Sequence, residues 1–232
     1  LFRDKPLPWP LLSALQGMDG RIDARIDLLR LRNGIEVKEA RAQARTRDDT
    51  TEVASFSGAL LDGSVQGDAT FVARSRAVRL NMQLEKTLLS QWLRQTGKKL
   101  RVDQGRMHVD MQLDTHGESM KDLAAHITGP LNIRIGQARI DSAQAGQAEY
   151  WLNGLFSAKE AKHVDMACFS AKLPFRDGIA KGSGIVGARS DASQLLTSGT
   201  VDMRKQTLDL RGKVRARSGI SLGISTFSSE VK

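Results

Sequence analysis

The sequence predicts a mainly β fold with a few short α-helices, built as a long, curved, twisted antiparallel sheet. Two observations predict it. Apolar residues recur at spacing two in run after run: Val65, Gly67, Ala69, Phe71 and Ala73, then Val78, Leu80, Met82 and Leu84, then Met107, Val109, Met111 and Leu113. Between them stand Arg74, Arg76, Arg79, Asn81, Gln83, His108, Asp110 and Gln112. A strand gives this alternation when one face meets something apolar and the other meets water. The second observation is compositional. The chain is 40% hydrophobic but only 5% aromatic and carries 21 glycines, which favours many short strands and tight turns over a helical bundle.

Taken in order, Leu1 to Pro10 holds KPLPWP and reads as an extended lead-in, followed by a helical turn at Leu11 to Leu15. Ile22, Ala24, Ile26 and Leu28 alternate with Arg21, Asp23, Arg25 and Asp27, a strand with one wet face, and Asn33-Gly34 is a hairpin signal. Glu36 to Arg47 has helical propensity, but Val37, Ala42 and Ala44 make no helical stripe, so it reads as a strand that turns at Asp48-Asp49. Phe56 to Ala73 gives two strands around Asp62-Gly63.

The alternation breaks at two places. In Glu85 to Thr96, Leu88, Leu89, Trp92 and Leu93 fall at helical spacing with Gly97 at the C-cap position. In Ser119 to Ile127, Met120, Leu123, Ala124 and Ile127 share a helix face, Glu118 or Ser119 begins it and Gly129-Pro130 ends it. Leu100 to Leu113 returns to strands with a turn at Gln104-Gly105, and Leu131 to Ile140 is a strand interrupted at Gly136. Asp141 to Gln147 reads as a mobile loop and Glu149 to Phe156 as a helix. Strands follow at Val164 to Leu173, Lys181 to Ala188, Gly199 to Met203, Leu208 to Ala216 and Ile220 to Phe227, with a turn at Phe175 to Gly178.

Catalytic and metal motifs are missing. His108, His116, His126 and His163 are scattered, with one cysteine to join them, so no metal-ligand spacing arises. There is no phosphate loop, dinucleotide fingerprint or nucleophile elbow. Lys181-Gly182-Ser183-Gly184 lacks the Lys-Ser/Thr and the helix of a phosphate loop and reads as a bulged strand. Cys168, in VDMACFSAKL, excludes an internal disulfide and reads as a buried structural thiol. The net charge of +9 and pI near 10.0 are spread over strand faces without a compact basic run. Nucleic acid is therefore not an expected partner; weak, salt-screened attraction to anionic headgroups is. The chain is expected to be non-enzymatic and to need no cofactor.

Residues along nearly the whole chain resemble the AsmA family. LFRDKPLPWPLL resembles the opening of the family's C-terminal domain. Gly58 to Leu113, with its strand pair, Leu-Leu helix and strand pair, leads into Gly117-Glu118-Ser119-Met120-Lys121-Asp122-Leu123 and Ile127-Thr128-Gly129, similar to the family's G-x-S-x-x-x-L…L-x-G module. Cys168, Phe169, Phe175, Asp177-Gly178, Gly182-Ser183-Gly184, Gly199, Val201-Asp202-Met203 and Leu208-Asp209-Leu210 resemble its closing strands. The resemblance implies that residues 1–232 are one C-terminal β-groove domain, a fragment of a longer bacterial protein anchored in the inner membrane with its body in the periplasm. It implies a role in outer-membrane biogenesis, and related bridge-like proteins carry phospholipid along an apolar β-groove. The sheet would then form a groove or partly open barrel.

The partners implied are phospholipid or another acyl-chain lipid, the membrane surface through the parent protein, and envelope proteins. An apolar sheet face must be covered by another layer, self-associate or hold a ligand, and few helices are available as cover. The candidate groove residues are Val65, Ala69, Phe71, Val78, Leu80, Met82, Leu84, Met107, Val109, Met111, Leu113, Leu131, Ile133 and Ile135. The competing reading is a structural scaffold for protein partners, in which the same residues fill a closed β core.

Overall fold

The computed structural model describes residues 19–31, 34–95, 101–141, 163–191, 193–216 and 224–230. In chain order they form β1 (Gly20–Arg30), β2 (Glu36–Arg47), β3 (Thr50–Leu60), β4 (Gly63–Val72), β5 (Ala77–Leu88), α1 (Leu89–Gln95), β6 (Val102–Gln104), β7 (Arg106–His116) and α2 (Met120–Ala125). Then follow β8 (Gly129–Ile135), β9 (Ala138–Asp141), β10 (His163–Arg176), β11 (Ile179–Ser190), β12 (Ser193–Asp202), β13 (Thr207–Ala216) and β14 (Ile224–Glu230). All strands belong to one sheet, ordered β1-β2-β3-β4-β5-β7-β8-β10-β11-β12-β13-β14, with β6 on β9 and β9 on β10 as a side branch. Every pairing is antiparallel. Among the described residues β1 pairs only with β2 and β14 only with β13, so the sheet is open. The expected mainly β architecture with few short helices is the one observed.

The expected lead-in at Leu1 to Pro10, the turn at Leu11 to Leu15, the Gly97 cap and the helix at Glu149 to Phe156 lie outside the described residues, as does most of the Asp141 to Gln147 loop. Glu36 to Arg47 is a strand, as expected. Between β3 and β4 the reversal falls on Leu61 and Asp62, both at positive φ (52° and 59°). That is the backbone of a primed hairpin turn, with Gly63 already in β4.

Two expectations are corrected. The helix read over Glu85 to Thr96 is shorter: β5 continues to Leu88 and α1 occupies only Leu89–Gln95. Lys86 takes a left-handed φ of 56° where the register shifts between Leu84 and Thr87. This bulge keeps Thr87 in the ladder opposite Met107, so β5 outlasts the alternation that announces it. The second concerns Gln104-Gly105, which does not reverse the chain. Gly105 N donates to Gln137 O at 3.0 Å and Gly136 N to Arg106 O at 2.9 Å. Val102 to Gln104 face Ile140 to Ala138 in the same frame in which Met107 faces Ile135. β6–β7 and β8–β9 are thus two long strands, kinked together at Gly105 and Gly136.

The kink frees one end of the sheet from β5 and lets α1 lie over it. Leu93 of α1 joins Val102, Ala138, Ile140 and Met166 in a buried cluster, with Leu89, Ile135 and Phe169 packed against it. α1 is tied down by Leu88 N to Leu61 O (2.8 Å), Leu89 N to Gly105 O (3.0 Å) and a hydrogen bond from the Gln91 amide to Asp62. α2 sits at the opposite strand ends. Ser119 caps it: its hydroxyl accepts from Asp122 N (3.1 Å) while its own N–H donates to the Asp122 carboxylate (3.1 Å), a capping box. Thr115 Oγ1 donates to Leu123 O at 2.5 Å, and the rings of His116 and His126 stack at 4.3 Å. Cys168 is half-buried, not buried as expected, because β10 bulges between Met166 and Cys168.

Gly129, where α2 hands over to β8, has φ +124°, and a Cβ there would overlap the Gln112 carbonyl oxygen. Gly136 has a Cβ position 3.7 Å from its nearest neighbour, Arg106 O. Gly129→Ala is expected to destabilise the fold by about 2 kcal/mol or more, whereas Gly136→Ala stays within about 0.5 kcal/mol of the parent. Urea unfolding of both variants checks this, and equal midpoints would show that the Gly129 contact is relaxed.

Candidate functional site

The ladder places all fourteen candidate residues on one face of four adjacent strands. Val65 opposes Leu84, Leu84 opposes Val109 and Val109 opposes Ile133. Met82 opposes Met111, and Met111 opposes Leu131. Ala69, Leu80 and Leu113 make a third row, Phe71 and Val78 a fourth, and Met107 with Ile135 a fifth. Because directly opposed residues point to the same side, these rows are apolar stripes running across the strands.

The stripes continue beyond the candidates in both directions. On one side Ala24, Ala42, Phe56 and Gly67 lead into Met82, and Ile22, Ala44 and Val53 lead into Ala69. On the other, Ile133 leads to Ala171, Val186 and Thr197, and Ile135 to Phe169, Ala188, Leu195 and Val214. The opposite face is polar and cross-linked. Gln66 Nε2 donates to Gln83 Oε1 (3.0 Å), Asn81 Nδ2 to Asp68 (2.8 Å), Arg79 Nε to Asp114 (2.7 Å) and Arg134 to Asp110 (3.1 Å).

Burial separates an open face from a closed core. Of the fourteen residues only Val65, Ala69 and Val109 are buried, at 9%, 5% and 6% exposure; the other eleven are half-buried. A core residue of a sandwich or closed barrel has a second layer over it. Here the central methionines and leucines lack that layer among the described residues.

At the α1 end the face deepens into a cavity of about 450 Å³, within the range of small-molecule sites. Val65, Met82, Leu84 and Met107 line it, together with Ala24, Ile26, Leu29, Leu31, Ile35, Val37, Phe56, Leu60, Leu61, Thr87 and Trp92. A flat sheet would hold β1 and β7 about 24 Å apart, five strand spacings. Ile26 and Met107 line one cavity, so this half of the sheet curls. The curl coincides with register shifts between Lys38 and Arg41, Gln43 and Ala44, Val53 and Phe56, and Leu84 and Thr87, and bulges bend the strands that carry them. The loop joining β1 to β2 reaches α1: the Cβ position of Gly34 lies 3.5 Å from Gln95 O. Thr87, fully buried, donates its hydroxyl to Met107 O at 3.3 Å, which removes its polarity from the wall. Among the described residues Arg41 is the one charged residue of the lining, and it shares the side-chain phase of Arg25 and Ser57 on the polar face.

The remaining ten candidates lie outside this cavity: Ile135 packs against the cluster under α1, and the other nine stand on the rest of the face. The lining residues that sequence reasoning missed come from β1 to β3, the loops, Thr87 of β5 and Trp92. Ile22 to Leu28 announces itself by alternation, but nothing in the sequence says that β1 folds back toward β7. Among the described residues no group of three His, Cys, Asp or Glu side chains is placed to hold a metal ion. No helix among them is long and apolar enough to cross a membrane.

The AsmA family model matches residues 4–183 of the chain. No curated protein and no solved structure matches it.

Behind the capped end, on the polar face, Arg139 Nε meets Asp165 Oδ1 at 2.7 Å and its Nη2 meets Oδ2 at 3.3 Å. This bidentate pair holds the Asp165 carboxyl below the ordinary aspartate range. A depressed acid stabilises the fold at pH above its unfolded-state value and loses that contribution as pH falls through its folded value. Carboxyl NMR titration should place the Asp165 midpoint below that of an unpaired aspartate, and Arg139→Gln should return it upward. An unchanged midpoint would dissolve the pair.

Proposed function

The chain belongs to the AsmA family, whose members are bacterial envelope proteins of outer-membrane assembly or lipid transport. On that premise we propose that this domain is non-enzymatic and holds the acyl chains of phospholipid, or of a similar lipid, on its apolar sheet face. It works in the periplasm as part of an inner-membrane-anchored protein. The observation that carries this reading is the continuous row of half-exposed Met, Leu, Val and Ile side chains deepening into the cavity under Trp92. Water against such a face is costly, and each CH₂ of a ligand buried there contributes roughly 0.8 kcal/mol. Half an acyl chain is therefore enough to retain a lipid without headgroup recognition. Met82, Met107 and Met111 suit an irregular guest, because a thioether side chain adapts its shape.

The test is a substitution that separates groove from core. Met82→Asp sets a charge against hydrocarbon but stands on a half-exposed site. It should reduce retention of a fluorescent phospholipid about tenfold or more while leaving the melting temperature within a few degrees. Met111→Asp should act in the same direction. A photoreactive residue at position 82 should crosslink to lipid in the unsubstituted background. A domain that unfolds with Met82→Asp and never crosslinks would make this face a core, and the scaffold reading would stand.

A further inference from the structure

The polar face changes character along the sheet. On β5, β7 and β8 its cations meet acids across the strands, Arg79 on Asp114 at 2.7 Å and Arg134 on Asp110 at 3.1 Å. Residues 163–216 carry nine Lys and Arg against five Asp. Asp165 lies on Arg139, Asp177 and Asp202 lie on Arg204, and Asp191 follows the end of β11. Six cations remain on the face: Lys172 of β10, Lys181 and Arg189 of β11, and Arg211, Lys213 and Arg215 of β13. All six are exposed, and none forms an ion pair among the described residues. Asp209 is the acid left among them.

The ladder puts them on one side and keeps them apart. Lys172 stands in a row with Asn132 and Asp110, Lys181 with Thr200 and Asp209, and Arg189 with Gln194 and Arg215. Arg134, Ser170, Gly187 and Leu196 lead to Lys213. β12 thus sets uncharged residues between two cationic strands. Along β13 the cations repeat about every 6.8 Å, and two strand spacings, about 9.6 Å, separate Arg189 from Arg215. These distances are comparable to the Debye length of about 8 Å at physiological salt, so the potentials add. Leu196 shares the face. It projects at 46% exposure between Gly187 and Lys213, whereas Leu195, on the other side of β12, is buried. We propose that this face docks flat on an anionic lipid surface. Phosphates meet the Lys and Arg rows, and Leu196 enters the boundary between headgroups and acyl chains. Cations standing in parallel rows on a sheet face match a planar array of phosphates rather than one small anion. A single-stranded nucleic acid would call for aromatic platforms, and the polar phase of β10 to β13 holds no Phe, Tyr or Trp. The docking holds whatever the apolar face carries.

Flotation of the 232-residue chain with lipid vesicles tests this. Vesicles of equimolar phosphatidylcholine and phosphatidylglycerol should carry the chain at low salt, and high salt should release it. Pure phosphatidylcholine vesicles should carry far less. Lys213→Gln should weaken binding about fivefold, the effect of one cation at an anionic surface, and Arg211→Gln combined with it more than about tenfold. Lys38→Gln removes the same charge from an exposed position on β2 that forms no ion pair among the described residues, and should leave binding within about twofold. With Cys168→Ser as background, a polarity-sensitive fluorophore on Leu196→Cys should shift to the blue on the anionic vesicles. The same fluorophore on Gln66→Cys, on the polar face of β4, should not. A chain that ignores anionic vesicles overturns the proposal, as does one that binds soluble polyglutamate as tightly. Equal binding to pure phosphatidylcholine would assign the contact to the apolar face, and equal loss with Lys38→Gln would assign it to net charge alone; either overturns it. So does a fluorophore at position 196 that stays in water on the bound chain.

Discussion

An antiparallel sheet keeps one face apolar only if every strand holds its side-chain phase against its neighbours, because a slip of one residue turns a whole strand inside out. Everything functional in this domain depends on that constraint. The strands do change phase: β2 passes from Val37 to Ala40 and Ala42, β5 from Leu84 to Thr87, and β10 from Met166 to Phe169. At each change one or more strand residues drop out of the ladder, with register shifts between Lys38 and Arg41, Leu84 and Thr87, and Met166 and Cys168. The extra residue is absorbed in a bulge, through Glu39 (φ 51°) on β2 and Lys86 (φ 56°) on β5. The lining residues before and after each bulge therefore stay on the same side. Bulging supplies curvature without breaking the apolar rows.

This also explains what the sequence could and could not reveal. Where strands are unbroken, as in β4, the first half of β5 and β7, the alternation is regular and the candidate residues can be read off at spacing two. Their cross-strand partners then follow from hairpin lengths. Where a bulge intervenes the alternation fails locally. Glu36 to Arg47 has helical propensity and shows no clean alternation, because Val37 and Ala42 belong to opposite phases of one strand. Glu85 to Leu88 looks like the first turn of a helix because Leu88 and Leu89 adjoin Trp92 and Leu93. Gln104-Gly105 carries the residues of a turn, and both take positive φ (62° and 75°), yet the backbone hydrogen bonds to β8–β9 carry the strand straight through. Local chemistry announces a left-handed residue; the partner strand decides whether the chain reverses or kinks.

α2 is legible in the sequence because its cap is local. Ser119 and Asp122 satisfy each other's backbone within one turn, and no distant residue is needed to begin the helix. The cavity is the contrary case. Ile26, Leu31, Val37 and Leu61 come to Met82 and Met107 only because the sheet curls, with register shifts along β2, β3 and β5. No property of β1 taken alone contains that information.

The helix α1 shows why the rest of the face stays open. Its Leu93 side closes over Val102, Ala138, Ile140 and Met166, and these are buried to between 1% and 8% exposure. Its Trp92 side does not close: Trp92 is 36% exposed and borders the cavity. One seven-residue helix thus makes a small core on one flank and a wall on the other. The other helix, α2, meets the sheet at the far strand ends, where Thr115, opposite Val78, donates to Leu123 O. Cross-strand hydrogen bonds and the polar ladder on the opposite face hold those strands in register without a second layer. An apolar face that the ladder can sustain alone, but that water does not favour, is free to exchange whatever covers it. A packed core has no such freedom, since its cover is part of the fold.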